Sequence, residues 1–298
     1  MFGVVSPLRY PGGKSRAIKT ILPLIPFNAK HFCEPFVGGG SVFLATKQNC
    51  ACSAEFTIND LNYDLYCFWK YIKENNQQLY QSVLDIKNSE TDGRKLFEHY
   101  TKEADAWNEF ERAVRFFVLN RITFSGTVDS GGYSQKAFTG RFTYSSIERI
   151  KPLENVMSNV TIKNKDYEEI IGDCKEGTFI FLDPPYYRQS KSRLYGKNGD
   201  LHTSFDHERF AEVMKNCRCQ WLITLDNTDK IKELFDFAYI QEWELQYGMN
   251  NYKQGKADKG QELFISNYEI NPPEYFERRS LIKNKKKNIQ GCLFQEYA

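Results

Sequence analysis

Apolar and polar positions along this chain change their period from block to block. The run Thr178-Phe-Ile-Phe-Leu182 has no polar face and reads as a strand covered on both sides. Similar runs at His31–Val37, Ala54–Ile58, Val160–Ile162 and Gln220–Leu225 predict further strands. Between them the period lengthens. Leu65, Phe68, Trp69 and Ile72 fall on one face of a helix expected over about Leu61–Asn75, and shorter helices are expected from Ser41, over His207–Asn216 and over Lys230–Phe235. Glu242–Tyr247 and Glu262–Ser266 read as paired final strands. Strands alternating with helices predict an α/β fold with a largely parallel sheet.

The alternation fails between about Gln77 and Pro152, where helical, polar and glycine-bearing stretches carry no convincing core strand. Residues 1–76 and 153–272 are therefore expected to form the sheet domain and 77–152 an inserted, mainly helical unit. After Pro272-Pro273 the composition turns polar, so 273–298 reads as a basic tail around Lys283-Asn-Lys-Lys-Lys287.

Composition narrows the class. A chain of 298 residues with 41% hydrophobic and 26% charged residues is ordinary for a globular protein. A net charge of +2 leaves no whole-molecule basic field, so any nucleic-acid footprint must be local. The eight cysteines include two C-x-C pairs but no C-x-x-C, which argues for reduced thiols and no metal. The start has no basic n-region and no apolar run reaches membrane-spanning length, so a cytoplasmic protein of a prokaryotic cell or phage-infected host, without a membrane partner, is expected.

Candidate chemistry gathers at glycines and at one proline pair. Gly12-Gly-Lys-Ser15 ends like a phosphate-binding loop but would need glycine at Leu8, and Gly38-x-Gly40 would need a third glycine at Phe43 to bind a dinucleotide. S-adenosylmethionine, smaller and less anionic, fits a glycine turn followed by a carboxylate for its ribose. Asp60 is placed for that ribose, and spacing equally allows it to cap the following helix. Asp183-Pro-Pro-Tyr186 puts a carboxylate and an aromatic ring on a stiff turn at a strand's carboxyl end, which suits a flat, amino-bearing ring.

Taken in order, Pro7-Leu-Arg-Tyr-Pro-Gly-Gly-Lys14, Glu34-Pro-Phe-Val-Gly-Gly-Gly-Ser-Val-Phe43, Ile58-Asn-Asp60, Asn120-Arg121 and Asp183-Pro-Pro-Tyr186 resemble the Dam-type (alpha-group) site-specific DNA adenine-N6 methyltransferases. The resemblance implies a Rossmann-like S-adenosylmethionine-dependent methyltransferase sheet, with residues 77–152 as the DNA target-recognition domain. It implies cofactor contacts from Tyr10, Lys14, Asp60 and Asp183, with Phe36, Gly38 and Gly40 framing the methionine portion. Asp166 and Tyr167 join that set, as does Glu34, where the family commonly has aspartate. Gly39 stands where the family often has another small residue, a change expected to be tolerated.

On this reading Asp183 and the Pro184 carbonyl accept the N–H groups of an adenine amine, Pro185 stiffens the turn and Tyr186 stacks on the ring. Double-stranded DNA is the expected partner, its adenine flipped out of the stack; the protein is expected to act as a monomer, with a cognate restriction endonuclease a further candidate partner. Within Asn108–Lys151, seven basic residues (Arg112, Arg115, Arg121, Lys136, Arg141, Arg149, Lys151) face four acids (Glu109, Glu111, Asp129, Glu148), a local surplus of three. Asn120, Arg121, Lys136, Arg141 and Arg188 are the candidate DNA contacts, and the loop Arg188–Arg193 is expected to close over substrate. Cytosine C5 methylation is excluded because no cysteine follows a proline. Cytosine-N4 methylation and a catalytically inactive DNA-binding protein of the same fold stay open as alternatives.

Overall fold

A computed structural model describes residues 3–26, 29–49, 55–102, 107–128, 130–187, 205–246 and 259–270. Its strands are β1 (His31–Glu34), β2 (Glu55–Asn59), β3 (Val160–Lys163), β4 (Thr178–Leu182), β5 (Gln220–Asp226), β6 (Tyr239–Gln246) and β7 (Lys259–Ser266). They form a seven-stranded sheet in the order β3-β2-β1-β4-β5-β7-β6. The first five pair in parallel, and β7 lies antiparallel between β5 and β6. The chain order reverses between β1 and β4, which opens a crevice beyond their carboxyl ends. Glu34 ends β1 and Asp183 follows β4, so both sides of that crevice carry a carboxyl group.

The apolar run Thr178–Leu182 is buried at every position, as a central parallel strand requires. β1 is shorter than its apolar run suggested. Pro35 has no N–H for the ladder, and the Val37 N–H turns instead to the Asn59 carbonyl at 2.9 Å. β6 and β7 are longer than the sequence indicated, registering from Tyr239 opposite Ser266 to Gln246 opposite Lys259.

The helices are α1 (Ile18–Ile21), α2 (Ser41–Asn49), α3 (Tyr63–Glu74), α4 (Asn76–Ser89), α5 (Gly93–Tyr100), α6 (Glu109–Ile122), α7 (Gln135–Arg141), α8 (Tyr144–Ile147), α9 (Tyr167–Gly172), α10 (His207–Asn216) and α11 (Asp229–Leu234). α9 is a helix beyond those expected from the sequence. α3 begins later than its apolar period suggests: Asn62 is the cap, its side chain accepting from the Leu65 N–H at 3.0 Å. Asp60 therefore does not cap that helix.

α6 is the hub of the helical segment. A capping box of Asn108 and Glu111 fixes its start, and every residue from Ala113 to Ile122 is buried. It packs against α3, α4, α5 and α7, and Phe68 of α3 meets the rings of Phe116 and Phe117 at 6.1 Å each. Its hydrophobic contacts run on without a break into those beneath one face of the sheet. Asp64 of α3 accepts hydrogen bonds from Arg112, at 2.8 Å, and from Arg115, whose Nε also donates to the Tyr100 carbonyl at 2.7 Å. Removing the carboxylate from such a buried network would cost about 3–5 kcal/mol, because the guanidinium groups would lose their counter-charge. Among the described residues no helix is long and apolar enough to cross a membrane.

Candidate cofactor and catalytic site

A cavity of about 350 Å³ fills the crevice between β1 and β4. The segment before the first helical turn forms one wall. There the Gly13 N–H closes a turn onto the Tyr10 carbonyl at 3.0 Å and delivers Lys14, 2% exposed, into the interior.

The glycine turn after β1 forms the floor. Gly38 and Gly40 take φ of +46° and +67°, which side-chain-bearing residues rarely adopt. A Cβ on Gly40 would lie 2.6 Å from the Trp69 ring, whose Nε1 donates to the Gly38 carbonyl at 3.1 Å. At Gly39 glycine is accommodated, and a Cβ there would meet the Tyr10 Cβ at 2.9 Å.

Asp60 is the brace of this turn. Its carboxylate accepts from the Gly38 N–H and from the Asn62 N–H, both at 3.0 Å. Enclosure by protein pushes its pKa up to about 6, against the pull of those two N–H groups. Asn59 steadies the same corner by donating to the Pro35 and Lys165 carbonyls at 2.9 and 3.0 Å. Glu34 is 3% exposed, and its Oε2 has no hydrogen-bond partner among the described residues. Burial first, then the neighbouring Asp183, holds its pKa well above the usual carboxylate range.

The Asp183-Pro-Pro-Tyr186 turn hangs over the cavity and is pinned from behind. Asp183 accepts from Thr224 Oγ1 at 2.8 Å and from Lys14 Nζ at 2.7 and 2.9 Å. The Pro185 carbonyl accepts from His207 Nε2 at 2.9 Å, which sets that ring's tautomer, and burial lowers the His207 pKa. The Tyr187 N–H donates to Asp226 at 2.9 Å. Lys14 Nζ also lies 4.8 Å from the centroid of the Tyr186 ring. The Tyr186 hydroxyl sits beside the Glu262 carboxyl without good hydrogen-bond geometry, and burial raises the pKa of both groups. Thr224, Asp226 and Glu262 come from β5 and β7, and nothing in their local sequence marked them.

An aromatic wall closes the far side. Phe36 meets Tyr167 at 5.4 Å, Phe205 at 5.8 Å and Phe210 at 6.0 Å between ring centroids. Asp166 caps α9 by accepting from the Glu168 N–H and pairs with Arg209 at 3.1 Å.

All the residues expected to hold the cofactor or the target amine line this cavity: Tyr10, Lys14, Glu34, Phe36, Gly38, Gly40, Asp60, Asp166, Tyr167 and Asp183 through Tyr186. The residues expected to meet DNA do not share that placement. Asn120 is fully buried and spent on backbone, accepting from the Arg9 N–H at 2.8 Å and donating to the Arg9 and Gly126 carbonyls at 2.7 and 2.9 Å. It presents no polar group to an outside partner. Arg121 is 4% exposed, Lys136 and Arg141 are exposed, and Arg188 with its loop lies outside the described residues, as does the basic tail. The basic surplus also shrinks on inspection, because Arg112 and Arg115 serve Asp64 and Lys151 pairs with Glu148 at 3.0 Å. A charge count along the chain cannot see such pairings.

A glycine turn after β1, an acid after β2 and an Asp-Pro-Pro-Tyr corner after β4, converging on one crevice of a sheet with an antiparallel β7, define a Rossmann-like methyltransferase. The chain belongs to the D12 class N6 adenine-specific DNA methyltransferase family, whose model matches residues 10–249. Family membership favours the adenine-specific enzyme over the cytosine-N4 and inactive alternatives.

The chain is 27% identical to the type II methyltransferase M1.LlaDCHI of Lactococcus lactis subsp. cremoris, over 87% of this chain and 94% of that protein. It is 25% identical to the type II methyltransferase M.CviBI of Paramecium bursaria Chlorella virus NC1A, over 88% and 98% respectively. Against the DNA adenine methylase of Escherichia coli K12 the identity is 25%, covering 60% of this chain and 64% of that one. Among solved structures, a precorrin-6y C5,15-methyltransferase from Geobacter metallireducens GS-15 aligns with 85% of this chain and 88% of its own at a TM-score of 0.39 and 8% identity.

Proposed function

We propose that this protein methylates the N6 amine of an adenine flipped out of double-stranded DNA, with S-adenosylmethionine as the donor held between the glycine turn and the aromatic wall. The observation that carries this reading is the placement of Asp183, backed by Thr224 and Lys14, in the same cavity as the Gly38 turn and Asp60.

The residues present fit the cofactor. The buried Glu34 Oε2 at the cavity floor, without a hydrogen-bond partner among the described residues, matches a cationic amino group, and Asp60 offers a carboxylate to ribose hydroxyls. Phe36 and Tyr167 provide apolar faces for a base. Such a donor brings a methyl group already activated on a sulfonium, so the protein must align the amine and exclude water.

An aromatic amine is a weak nucleophile because its lone pair is delocalised into the ring. Acceptors for its N–H groups favour the pyramidal form that attacks. An ionised carboxylate has about four acceptor directions. Asp183 spends three, on Thr224 and twice on Lys14, and keeps one for the amine. The Pro184 carbonyl, which accepts no hydrogen bond from the described residues, takes the other N–H. Lys14 holds the Asp183 carboxyl in place by donating to both of its oxygens, and Tyr186 lies against the base. The helical segment 77–152 supplies the surface that holds the duplex while the base is out of the stack. The protein works as a monomer in the cytoplasm, and the type II methyltransferases among its relatives suggest a restriction endonuclease as its counterpart.

Incubation with methyl-labelled S-adenosylmethionine and mixed duplex DNA tests the reading. Label is expected in N6-methyladenine, and Asp183→Ala is expected to abolish transfer while leaving DNA binding intact. The loss should exceed about tenfold, since removing one such acceptor costs a few kcal/mol. Label in N4-methylcytosine, or DNA binding with no transfer by the unaltered protein, would overturn it.

A further inference from the structure

The five cysteines among the described residues are free thiols, and four of them are neighbours in space. Cys33 of β1 is 1% exposed, and Cys174, just after α9, is partly exposed. The Cys174 thiol donates to the Ile170 carbonyl at 3.2 Å, which leaves the sulfur's lone pairs to accept from the adjacent Cys33 thiol. Cys217 and Cys219 turn elsewhere, their thiols donating to the Cys219 and Lys175 carbonyls at 3.9 and 3.4 Å.

Cys33 and Cys174 also line a second cavity, of about 600 Å³, that the methyl-transfer chemistry does not use. His31, Thr57, Lys163 and Asp173 give it polar walls, so water and small polar solutes have a route to the two sulfurs.

Thiols are oxidised through the thiolate, so the order of ionisation decides which sulfur reacts first. Burial pushes Cys67 up to about 12 and Cys217 up to about 11, and raises Cys219 as well. Cys33 is raised by the hydrogen bond it donates, then by burial. Cys174 moves the other way: the Cys33 hydrogen bond lowers its pKa, with Lys163 in support, against burial and Asp173.

We propose that Cys33 and Cys174 form an oxidisable pair that hydrogen peroxide closes into a disulfide, and that the closed pair weakens S-adenosylmethionine binding. The Cys174 thiolate attacks one peroxide oxygen; the O–O bond breaks, water leaves and Cys174 becomes a sulfenic acid. The Cys33 sulfur then attacks the Cys174 sulfur, and its proton departs with the hydroxyl as a second water. Two thiols lose two electrons and one peroxide gains them.

The effect on the cofactor rests on the methyltransferase reading above. Cys33 immediately precedes Glu34, whose carboxyl lies at the floor of the cofactor cavity. Cys174 follows the helix that opens with Tyr167 of the aromatic wall, and Ile170 and Ile171 of that helix share an apolar cluster with Cys33 and Tyr167. A covalent bond is shorter than a thiol contact, so closing the pair draws the end of β1 and the end of α9 together. Glu34 and Tyr167 shift with them.

The test treats the full reduced chain with an equimolar amount of hydrogen peroxide, blocks the remaining thiols and maps the peptides by mass spectrometry. A peptide pair joined through Cys33 and Cys174 is expected, and dithiothreitol should part it. In calorimetry the oxidised protein should bind S-adenosylmethionine about tenfold more weakly than the reduced protein, and reduction should restore the affinity. Cys174→Ser should form no such link and should keep the affinity of the reduced protein through peroxide treatment. Cys33→Ala should stop at the sulfenic acid, trapped at Cys174 by dimedone.

Peroxide that joins Cys174 to Cys219 or Cys217 to Cys219, or that leaves Cys33 and Cys174 reduced, would overturn the pair. A link between Cys33 and Cys174 with unchanged cofactor affinity would overturn its effect on the site. If the reduced protein fails to bind S-adenosylmethionine at all, the functional reading falls and takes that effect with it, while the peptide map still decides the pair.

Discussion

Glu262 offers the sharpest test of the electrostatics behind the catalytic turn. It is 1% exposed on β7, in register with Asp226 of β5, and its pKa is pushed up to about 7, chiefly by burial. Lys14 pulls it down and Asp183 pushes it up. Because the folded-state value lies above the ordinary 4.5, the folded protein holds this proton more tightly than the unfolded chain.

Glu262 therefore costs nothing below the unfolded pKa, and stability is lost as pH rises through the folded one, levelling off above it. A shift of this size corresponds to about 3 kcal/mol, of which about 2–3 kcal/mol falls between roughly pH 5 and 8. Glu262→Gln mimics the neutral form and removes the titration. Thermal unfolding of both proteins across that range should show the variant gaining on the parent by roughly 5 °C as pH rises. Asp60 and Glu34, whose pKa values are also raised, titrate in both proteins and cancel in the difference. A difference flat to within about 0.5 kcal/mol would refute the buried-carboxyl account.

Two further changes probe the cofactor corner. Gly40→Ala should destabilise the protein by about 2 kcal/mol or more, read as a fall in the urea midpoint, because alanine is strained at φ +67° and its methyl group would strike Trp69. An unchanged midpoint would mean that the turn relaxes freely. Asp60→Asn should weaken S-adenosylmethionine binding by about tenfold or more in calorimetry, since one of its two N–H partners would face an amide NH₂ and a charged acceptor would be lost. In the unaltered protein that affinity should also fall as pH drops through about 6, where Asp60 takes up its proton; affinity flat across that range would remove Asp60 from the ribose contacts.

The residues that announce themselves along the chain do so through local geometry. An apolar run stopped by two prolines leaves Asp183 at a strand end, three glycines between a strand and a helix make the turn, and an acid closes the next strand. These are constraints on a few consecutive backbone angles, so the α/β class and the strand-end positions of the Gly38 turn, Asp60 and Asp183 were legible without a fold, whereas Phe205 and Arg209, which also line the cavity, were not.

Other features depend on groups distant in sequence. His207, Thr224, Asp226 and Glu262 fix the catalytic turn only because β5 and β7 lie beside β4 and α10 packs behind it. Arg112 and Arg115 looked like a DNA-facing surplus until α6 docked on α3 and gave them Asp64. Asn120 sits next to Arg121 in the chain, yet one is spent on the Arg9 backbone and the other is left without an acceptor among the described residues. Sequence by itself set where the chain turns and which chemistry stands at each turn. Tertiary structure decided which charges cancel, which carboxyls hold protons and which guanidinium groups lack an acceptor among the described residues, because Coulomb interactions and desolvation depend on distances in space.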